Sequence, residues 1–179
     1  KKDIVSLLLL KKLKIGKILD VFKYIDYQFF FRNNKKHFEK KIVFKAKGNE
    51  ETTIPRIINN HNKVVLKIDI EGDEYKILND IKKNSKRIFF LLIEFHNVHK
   101  NLIKIKNFLR KSDLKIIHIH ANNYGGIDKN GNPKVIELSM LNSKKIKINR
   151  ILSKRKYPII DLDYKNFKRR EDIKIEFDK

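Results

Sequence analysis

The chain has 179 residues, enough for one domain with a hydrophobic core, and 41% of them are apolar. It contains no cysteine, which excludes a disulfide framework and thiolate metal sites. The formal net charge of +22 is typical of proteins that bind polyanions, but the lysines are spread along the chain instead of gathering in one segment. We therefore expect no specific nucleic-acid partner.

Residues 1–63 are predicted to form a helical and irregular N-terminal segment. Apolar residues recur at near-helical spacing over residues 4–32, which predicts a helix. The apolar run at residues 4–10 is shorter than the ~20 residues that a membrane span needs, so we expect no transmembrane segment and a cytoplasmic protein. Residues 42–44 predict a short strand, and Thr53-Ile54-Pro55 predicts the start of a short helix.

Residues 64–179 are predicted to form an α/β unit in which strands alternate with helices. The Asn- and Gly-rich residues 122–133 predict a loop or a wide hairpin, and the basic tail predicts an extended path with an edge strand at residues 173–175. The order of strands and helices predicts crossover connections and a mostly parallel sheet. Strands are predicted at residues 64–70, 88–95, 114–120 and 135–141, and helices at residues 73–83 and 102–109.

Three of these strands end in pairs of ionisable residues that lie two positions apart. On a strand, this spacing directs both side chains to one face. Ligands of parallel α/β sheets bind beyond the carboxyl ends of the strands, and burying such groups without partners is costly. We therefore predict that the pairs meet along one edge of the sheet and form a functional site. The pairs are Asp69 with Glu71, Glu94 with His96, and His118 with His120, and Asn122 follows the last of them.

Several residues near these strand ends also have purely structural interpretations. Asp69 is suited to capping the following helix, and Gly72 to permitting a tight strand-to-helix turn. Glu94 is as well suited to an internal salt bridge as to a functional role. Glu74 is expected to be a solvated carboxylate in the first helical turn, and His99 is expected to lie in solvent.

The segment Leu-Lys-Ile-Asp-Ile-Glu-Gly-Asp-Glu-Tyr-Lys-Ile-Leu at residues 66–78 resembles the signature of FkbM-type methyltransferases. That signature is a hydrophobic strand followed by Asp-x-Glu-Gly, an acidic residue and a helix. Residues 91–96, 118–123 and 135–139 are similar to later segments of the family and occur in the same order. Four ordered segments together make a strong match, and the resemblance covers residues 64–143.

The resemblance implies a Rossmann-like methyltransferase sheet, S-adenosylmethionine as methyl donor, and a sugar or another hydroxylated small molecule as substrate. Removing the hydroxyl proton requires a base or a metal ion. Asp69 or Glu71 is a candidate base; a divalent ion held with Glu94 and the histidines is the alternative, although we expect no metal. The candidate catalytic residues are Asp69, Glu71, Glu94 and His96, and the candidate substrate-side residues are Gly72, His118, His120 and Asn122.

The chain departs from the family where the cofactor would bind. No G-x-G-x-x-G or related turn precedes residue 64, so no cofactor-binding residue is assigned and the N-terminal cofactor-binding strands are expected to be missing. Either those strands lie upstream of Lys1, or the protein is a degenerate relative without activity. Two rivals stay open: a metal-dependent carbohydrate-processing protein that uses the same strand-end residues, and a basic, non-enzymatic module that binds a polyanion. The sequence does not predict an oligomeric state.

Overall fold

The computed structural model describes residues 21–25, 29, 40–43, 45–146 and 154–177. The chain divides into two compact units, residues 1–40 and 41–179. Residues 21–25 of the first unit are helical, and most of the helix predicted at residues 4–32 lies outside the described residues. The division between residues 63 and 64 stays a prediction.

The second unit is an α/β structure whose elements follow the predicted order. Its first part consists of β1 (Lys41–Ile42), β2 (Glu51–Thr52) and α1 (Ile54–Asn59). The four strands and two helices predicted between residues 64 and 141 are all present. They are β3 (Val64–Ile68), α2 (Glu74–Lys83), a 3-10 turn (Ser85–Arg87), β4 (Ile88–Phe95), α3 (Val98–Lys111), β5 (Leu114–Ala121) and β6 (Ile136–Asn142).

Local sequence explains where α1 and α2 begin and which side they bury. The Thr53 hydroxyl accepts a hydrogen bond from the main-chain N–H of Arg56 at 3.3 Å, which confirms the predicted start of α1. In α2, the buried residues Ile77, Leu78 and Ile81 recur at helical spacing and form one apolar stripe. This stripe packs the helix against the sheet.

The main sheet has the strand order β3-β4-β6-β5. β3 and β4 are parallel, while β6 is antiparallel to both of its neighbours, so the expectation of mostly parallel pairing is wrong. The physical reason is that no crossover helix separates β5 from β6, and a chain that returns through a hairpin must run antiparallel. The predicted wide hairpin is present, with a bridge between Ile127 and Pro133. Because β3, β4 and β5 still point the same way, their carboxyl ends lie at one edge.

The two faces of the sheet differ in chemistry. Residues from one face, including Leu91, Phe95 and Met140, are buried in a hydrophobic cluster with residues of α1, α2 and α3. The strand alternation places polar residues on the opposite face. There, the register aligns two rows across β4, β6 and β5: Leu92, Ser139 and His118 in one, and Glu94, Glu137 and His120 in the other. This opposite face carries the candidate site.

The C-terminal tail, residues 154–177, has no regular element and is held by Asn123, which follows β5. The Asn123 amide donates to the carbonyl oxygens of Phe167 and Arg170 at 3.1 Å each and accepts from the Phe167 N–H at 2.8 Å. The edge strand predicted at residues 173–175 is wrong, because only an isolated bridge joins Ile175 to Tyr157. Among the described segments, no helix is long and apolar enough to cross a membrane.

Candidate active site

A cavity of about 370 Å³ lies over the polar face of the sheet. It brings together residues that follow or end three different strands, because β3, β4 and β5 point in the same direction. Asn122, which follows β5, contacts a residue near the end of β4, since its amide donates to Glu94 Oε1 at 2.8 Å. The polar residues that line the cavity are Lys67, Asp69, Glu94, His118, His120, Glu137, Ser139, Asp163 and Asn166.

The loop between β3 and α2 is held by the carboxylate of Glu74. This side chain is fully buried, so the expectation that it is solvated is wrong. Its Oε1 accepts hydrogen bonds from the main-chain N–H of Gly72 at 3.0 Å and of Ile70 at 3.4 Å. The apolar residues around α2 exclude water from this carboxylate. The main-chain N–H groups of the loop take the place of water as its hydrogen-bond donors. Glu74 was not among the predicted site residues, although its position three residues after Glu71 is part of the family segment.

The backbone of this loop adopts conformations that favour particular residues. Gly72 has a φ of +107°, which side-chain-bearing residues rarely adopt, so its predicted role in the tight turn is confirmed. Glu71 has a φ of +54°, in the left-handed region, and its side chain is 86% exposed. Asp69 is also exposed and precedes the turn, whereas the N-cap position of α2 is occupied by Asp73, whose side chain makes no capping hydrogen bond. The interpretation of Asp69 as the helix cap is therefore wrong.

His96 connects the loop to the end of β4. Its Nδ1 lies 2.9 Å from Oε1 of Glu74, and its Nε2 lies 3.3 Å from Glu71 and 3.8 Å from Glu94. The Tyr75 hydroxyl donates to the main-chain oxygen of His96 and fixes the position of this residue. Glu71 of the first predicted pair and Glu94 of the second thus lie near the same imidazole ring.

Three of these side chains are arranged so that they could hold a metal ion. One ligand atom each from Asp69, Glu94 and His96 lies within 4.8 Å of the others. Carboxylate oxygens with one imidazole nitrogen suit several divalent ions. The contact between His96 Nδ1 and Glu74 resembles the outer contacts that orient metal-binding histidines, because it leaves Nε2 directed at the carboxylates.

Both histidines of β5 have carboxylate partners. His118 Nε2 lies 2.6 Å from Asp163 in the tail. His120 Nδ1 lies 3.5 Å from Glu137 on β6, and the second oxygen of Glu137 accepts from the Asn166 amide at 2.9 Å. His99, in contrast, is exposed at the start of α3, as expected.

Sequence reasoning missed Glu137, Asp163 and Asn166 as site residues. The alternation of apolar and polar residues along β6 is a signal that could have placed Glu137 on the polar face. Asp163 and Asn166 belong to an irregular tail without a comparable pattern. Only the contacts of the folded chain bring them to the cavity.

The close carboxylates and histidines change one another's protonation. Burial raises the pKa of Glu94, and the charges of Asp69 and Glu137 act in the same direction, against the hydrogen bond from Asn122. The hydrogen bond with Glu137 raises the pKa of His120 despite its burial. The same contact lowers the pKa of Glu137. In this site the pKa of the Glu94 carboxyl is therefore raised and that of Glu137 is lowered, while the pKa of the neighbouring His120 imidazole is raised.

Comparisons with known proteins assign the chain to a family. No curated protein and no solved structure matches the chain. The family model described as the methyltransferase FkbM domain matches residues 20–125, which is more than half of the chain. The match contains all eight predicted site residues and ends before Glu137 and the tail. The chain therefore belongs to the family of FkbM methyltransferase domains, as its Asp-x-Glu-Gly segment predicted.

Proposed function

We propose that the protein transfers a methyl group from S-adenosylmethionine to a hydroxyl group of a sugar or another hydroxylated small molecule. Family membership suggests methyl transfer, and the acidic cavity is the observation that supports this class of acceptor. Ionised carboxylates only accept hydrogen bonds, so their cavity suits a ligand rich in hydroxyl donors and disfavours phosphates. The carboxylates come from Asp69, Glu94, Glu137 and Asp163.

Within the proposed reaction, the chain's residues bind and orient the acceptor. Transfer to an oxygen requires that the attacking atom be held in line with the methyl group. Glu94 suits this role because it lines the cavity and is itself fixed by Asn122. Asp69 lines the cavity near it and offers a second acceptor of hydrogen bonds. The two carboxylates together would hold adjacent hydroxyls of one ligand.

The methyl donor is assigned through the family and through the charge of the cavity. When bound, S-adenosylmethionine supplies an electrophilic methyl group on a positively charged sulfur. A cavity lined by four carboxylates favours such a cation over an anion. We assign no residue to its adenosine portion, because the turn after β3 carries the single glycine Gly72 instead of a glycine-rich sequence.

We further propose that the sheet corresponds to the second half of a Rossmann-like methyltransferase sheet. Two features support this assignment: β3, β4 and β5 share one direction, and a helix connects each of these strands to the next. The candidate site also lies at the carboxyl ends of these strands, where such folds bind ligands. The β6 strand is then an antiparallel insertion in an otherwise parallel sheet.

The proposed function is tested with the full-length product of the reading frame. Transfer of a radiolabelled methyl group from S-adenosylmethionine to a panel of sugars and polyols is measured, together with cofactor binding by calorimetry. We expect Glu94→Gln to reduce transfer to hydroxylated acceptors and to leave cofactor affinity within a few-fold. Glu176→Gln changes an exposed carboxylate of the tail and serves as the matched control. A wild-type protein that neither binds the cofactor nor methylates any acceptor would refute the proposal.

A metal-dependent reaction on the same carbohydrate-like ligands is the second candidate, supported by the Asp69, Glu94 and His96 cluster. Binding of Mg²⁺ or Mn²⁺ to the native state would raise the melting temperature in a concentration-dependent way. That rise should disappear in Asp69→Ala and persist in Asp73→Ala, whose side chain is exposed in the same loop. A wild-type melting temperature that does not respond to millimolar metal would remove this candidate.

The basic, polyanion-binding rival has no support from this cavity, since its carboxylates would repel a polyanion. Such a partner would have to use the lysine-rich surface elsewhere. In that case affinity falls steeply with salt and is unchanged in Asp69→Ala. A cytoplasmic location and the absence of a specific nucleic-acid partner stay predictions.

A further inference from the structure

His120 presents a buried imidazole nitrogen that has no hydrogen-bond partner. The residue lies near the carboxyl end of β5, is 6% exposed and lines the cavity. Its Nε2 is buried and makes no hydrogen bond. Buried polar atoms in native proteins nearly always have a partner, so an unpaired one beside a cavity needs an explanation. A ligand in the cavity would provide the missing partner.

The other nitrogen of the ring is oriented by a second residue. Nδ1 lies 3.5 Å from Oε2 of Glu137. Glu137 is the residue paired with His120 in the register of β5 and β6. Asn166 in turn donates to Oε1 of Glu137 at 2.9 Å and holds the carboxylate in place. The distance of 3.5 Å is long, as contacts between a base and its orienting group often are before substrate binds. A proton on Nδ1 is favoured by Glu137, and Nε2 then carries the free lone pair.

Three other proton acceptors in or near the cavity already have partners. Oε1 of Glu94 already accepts from Asn122, and Nε2 of His118 lies 2.6 Å from Asp163. His96 directs its Nδ1 at Glu74 and its Nε2 at Glu71. Among the described residues that line the cavity, His120 is the histidine whose Nε2 is both buried and unpaired.

We propose that His120 is the general base that accepts the proton of the substrate hydroxyl, with Glu137 and Asn166 as positioning residues. This inference rests on the proposed methyl transfer. The hydroxyl O–H bond breaks, and the proton binds Nε2 of His120. The oxygen uses the released electron pair to form a bond to the methyl carbon. The electron pair of the former carbon–sulfur bond stays on sulfur. The resulting imidazolium is stabilised by the negative charge of Glu137.

The pH dependence follows from the groups that face His120. Glu137 on β6 and Asp163 and Asp172 in the tail all favour its protonated form, whereas burial opposes it. The base is active only when neutral, so the rate should rise with pH as the imidazole loses its proton. In Glu137→Gln the main cause of the raised pKa is lost, and the acidic limb of the rate profile should move to lower pH.

The kinetic test compares kcat and KM for methyl transfer in four proteins. His120→Gln should lower kcat by about 100-fold or more, the usual contribution of a general base, and change KM by no more than a few-fold. Glu137→Gln should lower kcat less and shift the acidic limb. His99→Gln alters an exposed histidine on α3 and should match wild type. A His120→Gln variant with wild-type kcat, or an unchanged acidic limb in Glu137→Gln, would overturn the inference.

A second measurement does not depend on activity. Nitrogen-15 NMR of the histidine rings reports which ring nitrogen carries the proton and at which pH the ring titrates. We expect neutral His120 to carry its proton on Nδ1 and its pKa to fall in Glu137→Gln. Neutral His120 protonated on Nε2 overturns the inference even if the enzyme is active. If the ring behaves as expected but wild type transfers no methyl group, the proposed function fails, and the assignment as base fails with it.

Discussion

Replacing Glu74 by alanine tests the view that this buried carboxylate holds the loop before α2. The side chain has no exposed surface, and Oε1 is the partner of the Gly72 N–H at 3.0 Å and of His96 Nδ1 at 2.9 Å. The Ile70 N–H at 3.4 Å makes a weaker contact. Glu74→Ala removes all three interactions, and the small alanine cannot replace any of them.

The expected loss of stability follows from these contacts. A buried donor left without an acceptor costs about 1–3 kcal/mol. The two good contacts alone would cost up to about 6 kcal/mol by that figure, but water can reach the partly exposed loop. Alanine also relieves the burial of Oε2, which has no hydrogen-bond partner. We therefore expect Glu74→Ala to lower the free energy of unfolding by about 3 kcal/mol.

Urea-induced unfolding, followed by circular dichroism, measures this free energy. Glu74→Gln should lose about 1–2 kcal/mol, because the amide oxygen still accepts from the loop while its NH₂ group replaces the unpaired Oε2. Glu71→Ala, a mostly exposed glutamate of the same loop, should change stability by no more than about 0.5 kcal/mol. If Glu74→Ala were no more destabilising than Glu71→Ala, the role given to Glu74 would be wrong.

Three further predictions concern other positions. Gly72→Ala should cost about 1–3 kcal/mol in urea unfolding, because alanine is strained at a φ of +107°. Asn142→Ala should cost about 2–3 kcal/mol by the same measurement, since its amide donates at 2.7 and 2.9 Å to two buried main-chain carbonyls of the segment that enters β4. Glu137→Gln should lower stability by at most about 1 kcal/mol, because solvent screens a carboxylate that is 37% exposed, and the loss should depend on pH.

The pH range of the last prediction follows from the direction of both pKa shifts. The raised pKa of His120 stabilises the fold below its ordinary value of 6.5, and this contribution is lost as pH rises through the folded-state value. The lowered pKa of Glu137 stabilises the fold above its ordinary value of 4.5, and this is lost as pH falls through the folded-state value. The difference between wild type and Glu137→Gln should therefore be greatest between pH 4.5 and 6.5. A difference that is constant from pH 4 to 9 contradicts the pairing.

Matched controls exist for the two other substitutions. Gly48→Ala places a Cβ where no atom lies within 4 Å, in a backbone without positive φ, and should be nearly neutral. Asn79→Ala removes an exposed amide from α2 and should change stability by less than about 0.5 kcal/mol. If Gly48→Ala were as destabilising as Gly72→Ala, or Asn79→Ala as destabilising as Asn142→Ala, backbone strain or buried hydrogen bonding would not explain the effect.

Local patterns in the sequence determined most of the secondary structure from residue 64 onward. The apolar run at residues 88–95 predicted β4 with its observed ends, and helical spacing predicted α2 to within one residue. The same patterns brought Asp69, Glu94 and His120 to one edge, because successive crossovers keep strands in one direction. These features depend on neighbouring residues, which the sequence shows directly.

Only the tertiary structure decided how the strands are paired and which side chains complete the site. Alternation along β6 indicates which face Glu137 shares with its neighbours in sequence, but not that β6 inserts between β4 and β5. That insertion sets Glu137 beside His120, and the tail adds Asn166. Glu74 was misjudged for a related reason, since its burial depends on the loop that folds over it. Pairing between distant segments depends on packing and register, which local periodicity does not encode.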